Sequence, residues 1–392
     1  MQDFFICSLC GNDDPQKTGV KNGAIYCRMC LSFQGVKAEI IKHKPLLVPI
    51  NLDYDLTDEQ KRIGEEINSN YLNNINSLVY AVCGAGKTEL VFLAIQSALS
   101  NGHQIGFTVP RKEVVIEISI RIKEAFPKAK VISVFGEHND VLTGNIIVLT
   151  THQLFRYPNY FDLLIFDEID AFPYKGDFVL ESMFKKSVRG VYVLLSATPS
   201  KKLLNEFTSS GAILTLFTRF HNNKIPVPIV KRGYFFFNFI ILVRYLSQFI
   251  KKGKPALVFV PTIDQANFIY RLLSIEFKKG NLVHSRILNN SEIINDFKKG
   301  CYQYLVTTTV LERGVTIKGL QVIIYGADHN VYDSASLIQI SGRVGRKKDE
   351  SDGQVIFIVS KSNEEIKESI RDIETKNEYL RSVLQKQNTV IN

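Results

Sequence analysis

Ala81-Val82-Cys83-Gly84-Ala85-Gly86-Lys87-Thr88 decides how the rest of the chain is read. Before it, Ser77-Leu78-Val79-Tyr80 reads as a short buried strand; after it, Leu90, Leu93, Ala94 and Leu99 recur at helical spacing. A glycine-rich turn between strand and helix is what a phosphate-binding loop requires. Small residues let the backbone curl so that its N–H groups face a phosphate chain, and the helix N-terminus adds partial positive charge. In that reading Gly84, Ala85 and Gly86 form the cradle, Lys87 reaches the β- and γ-phosphates, and the Thr88 hydroxyl ligates Mg²⁺. A turn that binds nothing is the plain alternative, and Gly86-Lys87-Thr88 at the junction itself argues against it. The stretch predicts a nucleoside triphosphate site on an α/β fold.

Beyond the loop, strands and helices alternate. A strand over 105–109 leads to a helix over 112–126, then to strands over 130–134 and 145–149. That is the pattern of a parallel sheet covered by helices. Pro110 and Arg111 end the first of these strands, and Thr150 and Thr151 follow the last, at strand C-termini where open α/β sheets bind ligands. Arg111 and the hydroxyls suit a nucleic-acid backbone, although a threonine at a strand end serves equally well as a cap. Asp162-Leu163-Leu164-Ile165-Phe166 delivers Asp167-Glu168, 80 residues beyond Lys87. Asp167 is expected to hold Mg²⁺ through water, and Glu168 to orient and deprotonate the attacking water. Ser196-Ala197-Thr198-Pro199 is a hydroxyl-bearing turn after a further strand. Upstream, Leu56-Thr57-x-x-Gln60 lies 27 residues before Lys87, with Thr57 or Asp58 capping a helix. The amide of Gln60 both donates and accepts, which matches the edge of adenine and favours ATP.

Cys7-x-x-Cys10 and Cys27-x-x-Cys30 are separated by sixteen residues. Each pair on a tight turn brings two thiolates to one ion, and together they make a tetrahedral sulfur cage. Zn²⁺ is the expected occupant and an iron–sulfur cluster the alternative. Gly11 and Gly23 stand where such turns need backbone freedom. Four thiolates leave no open coordination position, so the expected role is to hold a small domain that cannot bury a sufficient core alone. The two remaining cysteines stand apart, which suits a reducing cytoplasm.

In 392 residues, 48 basic against 39 acidic side chains give a net charge of +9, which suits a polyanion partner. A composition 45% hydrophobic and 22% charged excludes a disordered or fibrous chain. Residues 1–10 lack the basic start of a signal peptide. The longest apolar run, 234–243, is about half a membrane span and carries Asn238; it reads as an aromatic-rich core segment.

Residues 200–230 lose the regularity, and Pro226 and Pro228 read as an extended linker. A second alternation follows: strand 256–260, helix 264–277, strand 281–285, helix 291–299 and strand 304–309. The strand Gln321–Tyr325 is expected to complete a second α/β domain without a phosphate loop. Gln339-Ile340-Ser341-Gly342-Arg343-Val344-Gly345-Arg346 offers two guanidiniums three residues apart. On a helix both point to one side, suited to neutralising charge on a γ-phosphate in the transition state. Gly342 and Gly345 each cost about 1 kcal/mol against Ala in a helix, so close approach of another backbone is the better reason for them. Arg313 and Gly314 are expected at ATP, and Thr308 and Thr309 at nucleic acid. From 363 onward, Ile366, Ile370, Ile373, Leu380 and Leu384 predict an amphipathic helix docked on the second domain.

In order and spacing, these motifs resemble those of superfamily 2 helicases over roughly residues 50–360: Ala-x-x-Gly-x-Gly-Lys-Thr (81–88), Thr-x-Pro-Arg (108–111), Asp-Glu-Ile-Asp (167–170), Ser-Ala-Thr (196–198), the Arg313 segment and Gln-x-x-Gly-Arg-x-x-Arg (339–346). Ala81 in place of the first glycine is a form seen in many helicases. Within that superfamily, the N-terminal four-cysteine module is similar to that of the late-competence DNA-uptake ATPases, the ComFA family. So are residues 167–173, Arg219-Phe220-His221 before Pro226-Val227-Pro228, and residues 311–316.

That resemblance implies two tandem RecA-like domains forming an ATP-driven motor on single-stranded DNA. It implies work at the cytoplasmic face of the membrane channel that admits transforming DNA, beside other competence uptake proteins, and leaves a homo-oligomer open. Carried over, Lys87 and Thr88 bind Mg·ATP, Asp167 and Glu168 act on Mg²⁺ and water, and Arg343 and Arg346 serve as sensor and finger. Cys7, Cys10, Cys27 and Cys30 bind Zn²⁺. The expected division is a zinc module over 1–45, an ATP-binding domain over 46–215, a helicase C-terminal domain over 216–362 and a docked helix over 363–392. A primosomal or repair-type DNA helicase is the first alternative, though those usually carry their cysteines between the helicase motifs. An RNA helicase rarely carries an N-terminal zinc cage. An ATP-gated clamp with little turnover is the non-enzyme reading, and the complete set of Lys87, Glu168 and Arg346 argues against it.

Overall fold

Residues 5–170, 176–221, 223–312, 317–346 and 353–390 are described by a computed structural model. They form two units, one of Met1–Ala81 with Gly86–Leu216 and the other of Phe217–Asn392 with Val82–Ala85. Both are parallel α/β, as the alternation requires.

The first unit begins with a hairpin of β1 (Thr18–Lys21) and β2 (Ala24–Cys27). Its turn, Asn22-Gly23, has positive φ at both residues (53° and 79°), the combination that two-residue hairpins favour. Helix α1 (Asp58–Leu72) starts at a reciprocal cap, Thr57 with Gln60. There follow β3 (Ser77–Ala81), α2 (Lys87–Leu90), α3 (Phe92–Ser100), β4 (Ile105–Val109), α4 (Lys112–Ala125), β5 (Val131–Val134), β6 (Ile146–Thr150), β7 (Phe161–Asp167), α5 (Phe178–Ser187), β8 (Val188–Ser196), α6 (Lys201–Ser210) and β9 (Ala212–Leu216). The sheet runs β5-β6-β4-β7-β8-β3-β9 with every pairing parallel. Its inner strands are buried on both faces, which is why they read as unbroken apolar runs.

Cys7, Cys10 and Cys27 share a core with Leu164, Phe166, Leu180 and Phe184, so the cysteine module is built onto this sheet. Lys186 of α5 donates to the carbonyls of Cys7 (3.3 Å) and Ser8 (2.6 Å). The irregular linker expected over 200–230 is overturned in its first half. Ser200 caps α6, its hydroxyl accepting from the Leu203 N–H (3.2 Å), and β9 pairs with β3 at the sheet edge. Only Phe207 of α6 is buried, which leaves little apolar pattern to read.

The second unit contains β10 (Ile229–Arg232), α7 (Phe235–Lys251), β11 (Ala256–Phe259), α8 (Ile263–Glu276), β12 (Gly280–Val283), α9 (Asn290–Lys298), β13 (Tyr304–Thr307), β14 (Gln321–Tyr325), α10 (Ser334–Ser341), β15 (Val355–Val359) and α11 (Glu364–Val390). Its sheet, β10-β15-β14-β11-β13-β12, is parallel throughout. Gln321–Tyr325 therefore does not complete the domain; β15 and then β10 extend the sheet beyond it. The run 234–243 opens α7 rather than filling the core. Tyr234, Phe236 and Phe237 are 84%, 70% and 61% exposed, while Leu242, Leu246 and Phe249 face inward. Along α11, Ile366, Ile373 and Leu380 are buried, and the Asn377 side chain exchanges two hydrogen bonds with the Ile225 backbone (2.9 and 2.8 Å). These bonds tie α11 to the segment that precedes β10. Among the described residues no helix is long and apolar enough to cross a membrane.

Candidate nucleotide site and metal centre

Strand order brings the first unit's chemistry to one edge of its sheet. β8 pairs with β3 on one side and β7 on the other, so the ends of all three strands lie side by side. After β3 the loop curls with Gly84 at φ +85° and Gly86 at φ +76°, left-handed values that a side chain would oppose. Gly86 is the N-cap of α2, which places Lys87 and Thr88 in the first turn. A Cβ on Gly86 would come within 2.5 Å of the Gln60 amide nitrogen, so Gln60 lies directly against the loop. Gln60 is buried, and its Oε1 accepts from the Thr57 N–H (2.9 Å).

β7 ends at Asp167, which is 8% exposed. Burial pushes its carboxyl up to about 6, against the pull of the Lys87 ammonium, with the Glu168 charge adding to the rise. Such a group calls for more positive charge than Lys87 alone supplies, as a bound Mg²⁺ would. Glu168 adopts φ +59°, a left-handed conformation that costs a non-glycine residue about 1–3 kcal/mol and collects at active sites. Its N–H is shared between Asp167 Oδ1 (2.9 Å) and the Leu195 carbonyl (3.1 Å). Asp170 completes the edge, accepting from the Ser196 hydroxyl (2.9 Å) and the Thr198 hydroxyl (2.6 Å). The Ser-Ala-Thr turn is thereby tied to the acid motif.

At the neighbouring strand ends, Pro110 is buried and Arg111 half-buried at the start of α4. Thr150 is 8% exposed and Thr151 fully buried, its hydroxyl donating to the Val109 carbonyl (3.4 Å). Thr151 thus ties two strand ends together and presents no hydroxyl at the surface, contrary to the expected contact with nucleic acid.

In the second unit Thr308 and Thr309 are half-buried just past β13. Arg313 and Gly314 lie outside the described residues. The helix expected under Arg343 and Arg346 stops at Ser341: Gly342 caps α10 and Gly345 turns at φ +67°. The two arginines do not share a helical face. Arg343 is 2% exposed, its Nε donating to the Glu312 carbonyl (2.8 Å), whereas half-buried Arg346 donates back to the Gly342 carbonyl (2.9 Å).

The four cysteine sulfurs lie within 4.8 Å of one another, with Cys7–Cys30 at 3.8 Å and Cys10–Cys27 at 3.7 Å. A tetrahedron with metal–sulfur bonds of about 2.3 Å has edges of about 3.8 Å, so the cage fits one ion; a cluster would hold its sulfurs further apart. Burial opposes ionisation of Cys7, but backbone N–H groups of Cys10 and Leu9 outweigh it and bring the thiol to about 7. Burial and the neighbouring Cys10 and Cys7 push Cys30 far the other way. All four sulfurs could ionise together only around a cation.

Residues 57–207 match the family described as DEAD/DEAH box helicase, and residues 239–348 the helicase conserved C-terminal domain. The chain is 31% identical to Competence protein ComFA of Bacillus subtilis (strain 168), over 90% of this chain and 81% of that protein. It is also 31% identical to Competence protein ComFA of Streptococcus pneumoniae (strain ATCC BAA-255 / R6), over 95% and 90% respectively. This chain belongs to the ComFA family. Solved structures share the fold: S. cerevisiae Dbp5 bound to RNA and ADP BeF3 (TM-score 0.61, 18% identity, 82% of this chain and 92% of that one). RecG bound to a three-way DNA junction is equally similar (TM-score 0.61, 22% identity, 84% and 47%). This ComFA-family chain therefore carries a superfamily 2 helicase-type ATPase.

Two features of it were not legible as functional. Glu89, buried behind the loop, accepts from the Tyr54 hydroxyl (2.9 Å) and from Arg121, whose Nη1 also donates to the Thr88 hydroxyl (3.2 Å). A half-exposed cation, anchored on buried Glu89, thus orients the threonine expected at Mg²⁺ while its second lone pair keeps acceptor capacity. Arg219 is 1% exposed and donates to the carbonyls of Val344 (2.9 Å), Gly345 (2.9 Å) and Gly342 (3.2 Å). It fixes the turn that carries Arg343 and Arg346. The sequence signal for it was the Arg219-Phe220-His221 resemblance, which assigns no role.

Proposed function

We propose that this chain is a DNA-stimulated ATPase that translocates on single-stranded DNA and drives transforming DNA into the cytoplasm during competence. The observation that carries the ATPase half is the acid pair: a strained Glu168 and a buried Asp167 whose carboxyl is pushed up by burial against the pull of Lys87. The competence half rests on membership of the ComFA family. Gly84, Ala85, Gly86 and Lys87 bind the phosphates of ATP, and Gln60 meets the adenine. Thr88 and Asp167 hold Mg²⁺, which supplies charge neutralisation when bound. Glu168 takes the proton of the attacking water, and Arg343 and Arg346, with Arg313 and Gly314, act on the nucleotide as sensor and finger. Pro110, Arg111, Thr150, Thr308 and Thr309 line the strand's path, with Thr151 holding the corner from inside. Zn²⁺ is the ion of the cysteine cage. The working place is the cytoplasmic face of the membrane, beside the other uptake proteins, with self-association open. The four parts set out from the sequence remain our division of these roles.

The RecG likeness favours a second reading, a helicase that acts on branched DNA. Steady-state ATP hydrolysis with single-stranded DNA, forked duplex and RNA, blanked by Lys87→Ala, separates the two. Stimulation by single strands carries the translocase, whereas stimulation mainly by forks carries the helicase.

A further inference from the structure

In the second unit, the connection after β11 runs toward β13 and β12, whereas the one after β14 runs toward β15. β11 and β14 are neighbours, so the sheet has its switch point between them, and open α/β sheets bind ligands in the crevice at such a point. A cavity of about 330 Å³ lies there, lined by Pro261 and Gln265 after β11, by Tyr325, Asp328 and Asn330 at and after β14, and by Asn238 of α7. None of the motif residues identified above lines it.

Its chemistry is that of a base edge. Asn238 is 4% exposed in the apolar first half of α7, its Nδ2 donates to the Ser360 hydroxyl (3.3 Å), and its Oδ1 has no hydrogen-bond partner. An orphaned buried amide oxygen is costly unless something else supplies the donor. Gln265 and Asn330 add two more amides, groups that pair with the donor and acceptor pattern of bases. Tyr325 adds an aromatic wall. No lysine or arginine lines the cavity; exposed His329 is its one basic side chain, and Asp328 stands beside it, anchored by the N–H groups of Ser360 (3.1 Å) and Lys361 (3.0 Å). An anion is disfavoured inside. Cations sit instead at the rim: exposed Arg232, whose Nε donates to the Ser360 carbonyl (3.1 Å), and exposed Lys361. Phe237, next in sequence to Asn238, offers an exposed ring for a neighbouring base.

We propose that this cavity takes a single unstacked nucleobase of the DNA strand, with the strand's phosphates outside on the basic rim. The proposal rests on the translocase reading, which supplies the strand. Every nucleotide drawn past the second unit then presents its base to Asn238 and Gln265, which makes the cavity a register point for stepping.

The test is binding of oligo-dT of footprint length by the full chain, followed by anisotropy, with one abasic position walked along the strand. The wild type should lose about tenfold in affinity at one register. Gln265→Ala, at an exposed position, should bind intact strands more weakly and shrink that abasic penalty below about twofold. Asn238→Ala should do the same, with its folding checked by circular dichroism. A uniform abasic profile, or a penalty unchanged in both variants, overturns the cavity while leaving the motor intact. Displacement of the register penalty by free thymidine monophosphate assigns the cavity to a free nucleotide and overturns a strand-borne base. No binding of any intact strand overturns the motor, and the cavity with it.

Discussion

Glu168 and Arg219 show two ways in which a residue serves the site. Glu168 is held in a left-handed backbone beside the buried Asp167, so its strain sits where charge must be handled. Arg219 touches no expected ligand, yet it neutralises three carbonyls left over where α10 ends. Burial, with the nearby Arg346 adding to it, lowers Arg219 to about 10, so it remains charged at neutral pH. Arg219→Ala takes this donor from the Val344 and Gly345 carbonyls, while Gly342 keeps Arg346, and should cost the second unit about 2–4 kcal/mol, read from its urea midpoint; an unchanged midpoint removes Arg219 from this role. The phosphate loop and acid pair were legible because each chemical step needs particular residue types at the ends of strands. Arg219 was not, because its partners, the Cys83 carbonyl among them (3.2 Å), lie 123 to 136 positions away and only the folded chain brings them together.

Strands and helices were legible in proportion to their burial. β4, β6 and β14, buried along their length, announced themselves as apolar runs. β9 and β10 are half-exposed edges and did not. β15 is fully buried, but it is a short apolar run of five residues beyond the last motif, with no motif of its own to mark it. The end of α10 was misplaced because helical spacing says nothing of the left-handed turn that Gly345 permits.

A partly exposed ion pair between β7 and β8 gives a pH test. Asp162 accepts from Arg189 (2.8 and 2.7 Å) and from the Gln104 N–H (2.8 Å). Burial raises its pKa, but these donors outweigh it and the net shift is below 3.8. Its folded value is depressed, so its contribution is complete above the unfolded value and fades as pH falls through the folded one. Asp162→Asn should cost about 1 kcal/mol at pH 7, discounted because Arg189 is partly solvated. The gap to wild type should begin to narrow near pH 3.8 and close only once the folded Asp162 is protonated as well, in urea unfolding; a gap constant with pH contradicts the assignment.

The cysteine cage is likewise an element with a measurable job. Its core is continuous with the first sheet, Phe33 stacks on His152 (6.1 Å, 16°), and buried Arg156 donates to the Val36 carbonyl (2.8 Å). Chelation, or Cys7→Ser with Cys10→Ser, should therefore lower the unfolding free energy of the first unit by more than about 2 kcal/mol and spare the second. Equal stability with and without metal, by calorimetry and metal analysis together, contradicts a cage that holds Zn²⁺.

Taken as two units, the chain has a fold shared by one protein bound to RNA and another bound to a DNA junction. Fold alone therefore does not choose the polymer. The net charge of +9 draws any polyanion. What distinguishes this chain is the combination of the loop, the acid pair, the arginine turn and the sulfur cage in a ComFA-family sequence. The measurement that bears most directly on that account is ATP turnover by the metal-loaded chain without polymer, then with single-stranded DNA, forked duplex and RNA, with Lys87→Ala as the blank. Single-stranded DNA should raise turnover by about tenfold or more, and Lys87→Ala should abolish it. Turnover that is indifferent to single strands, or that rises mainly with RNA or forks, contradicts a motor for incoming single-stranded DNA.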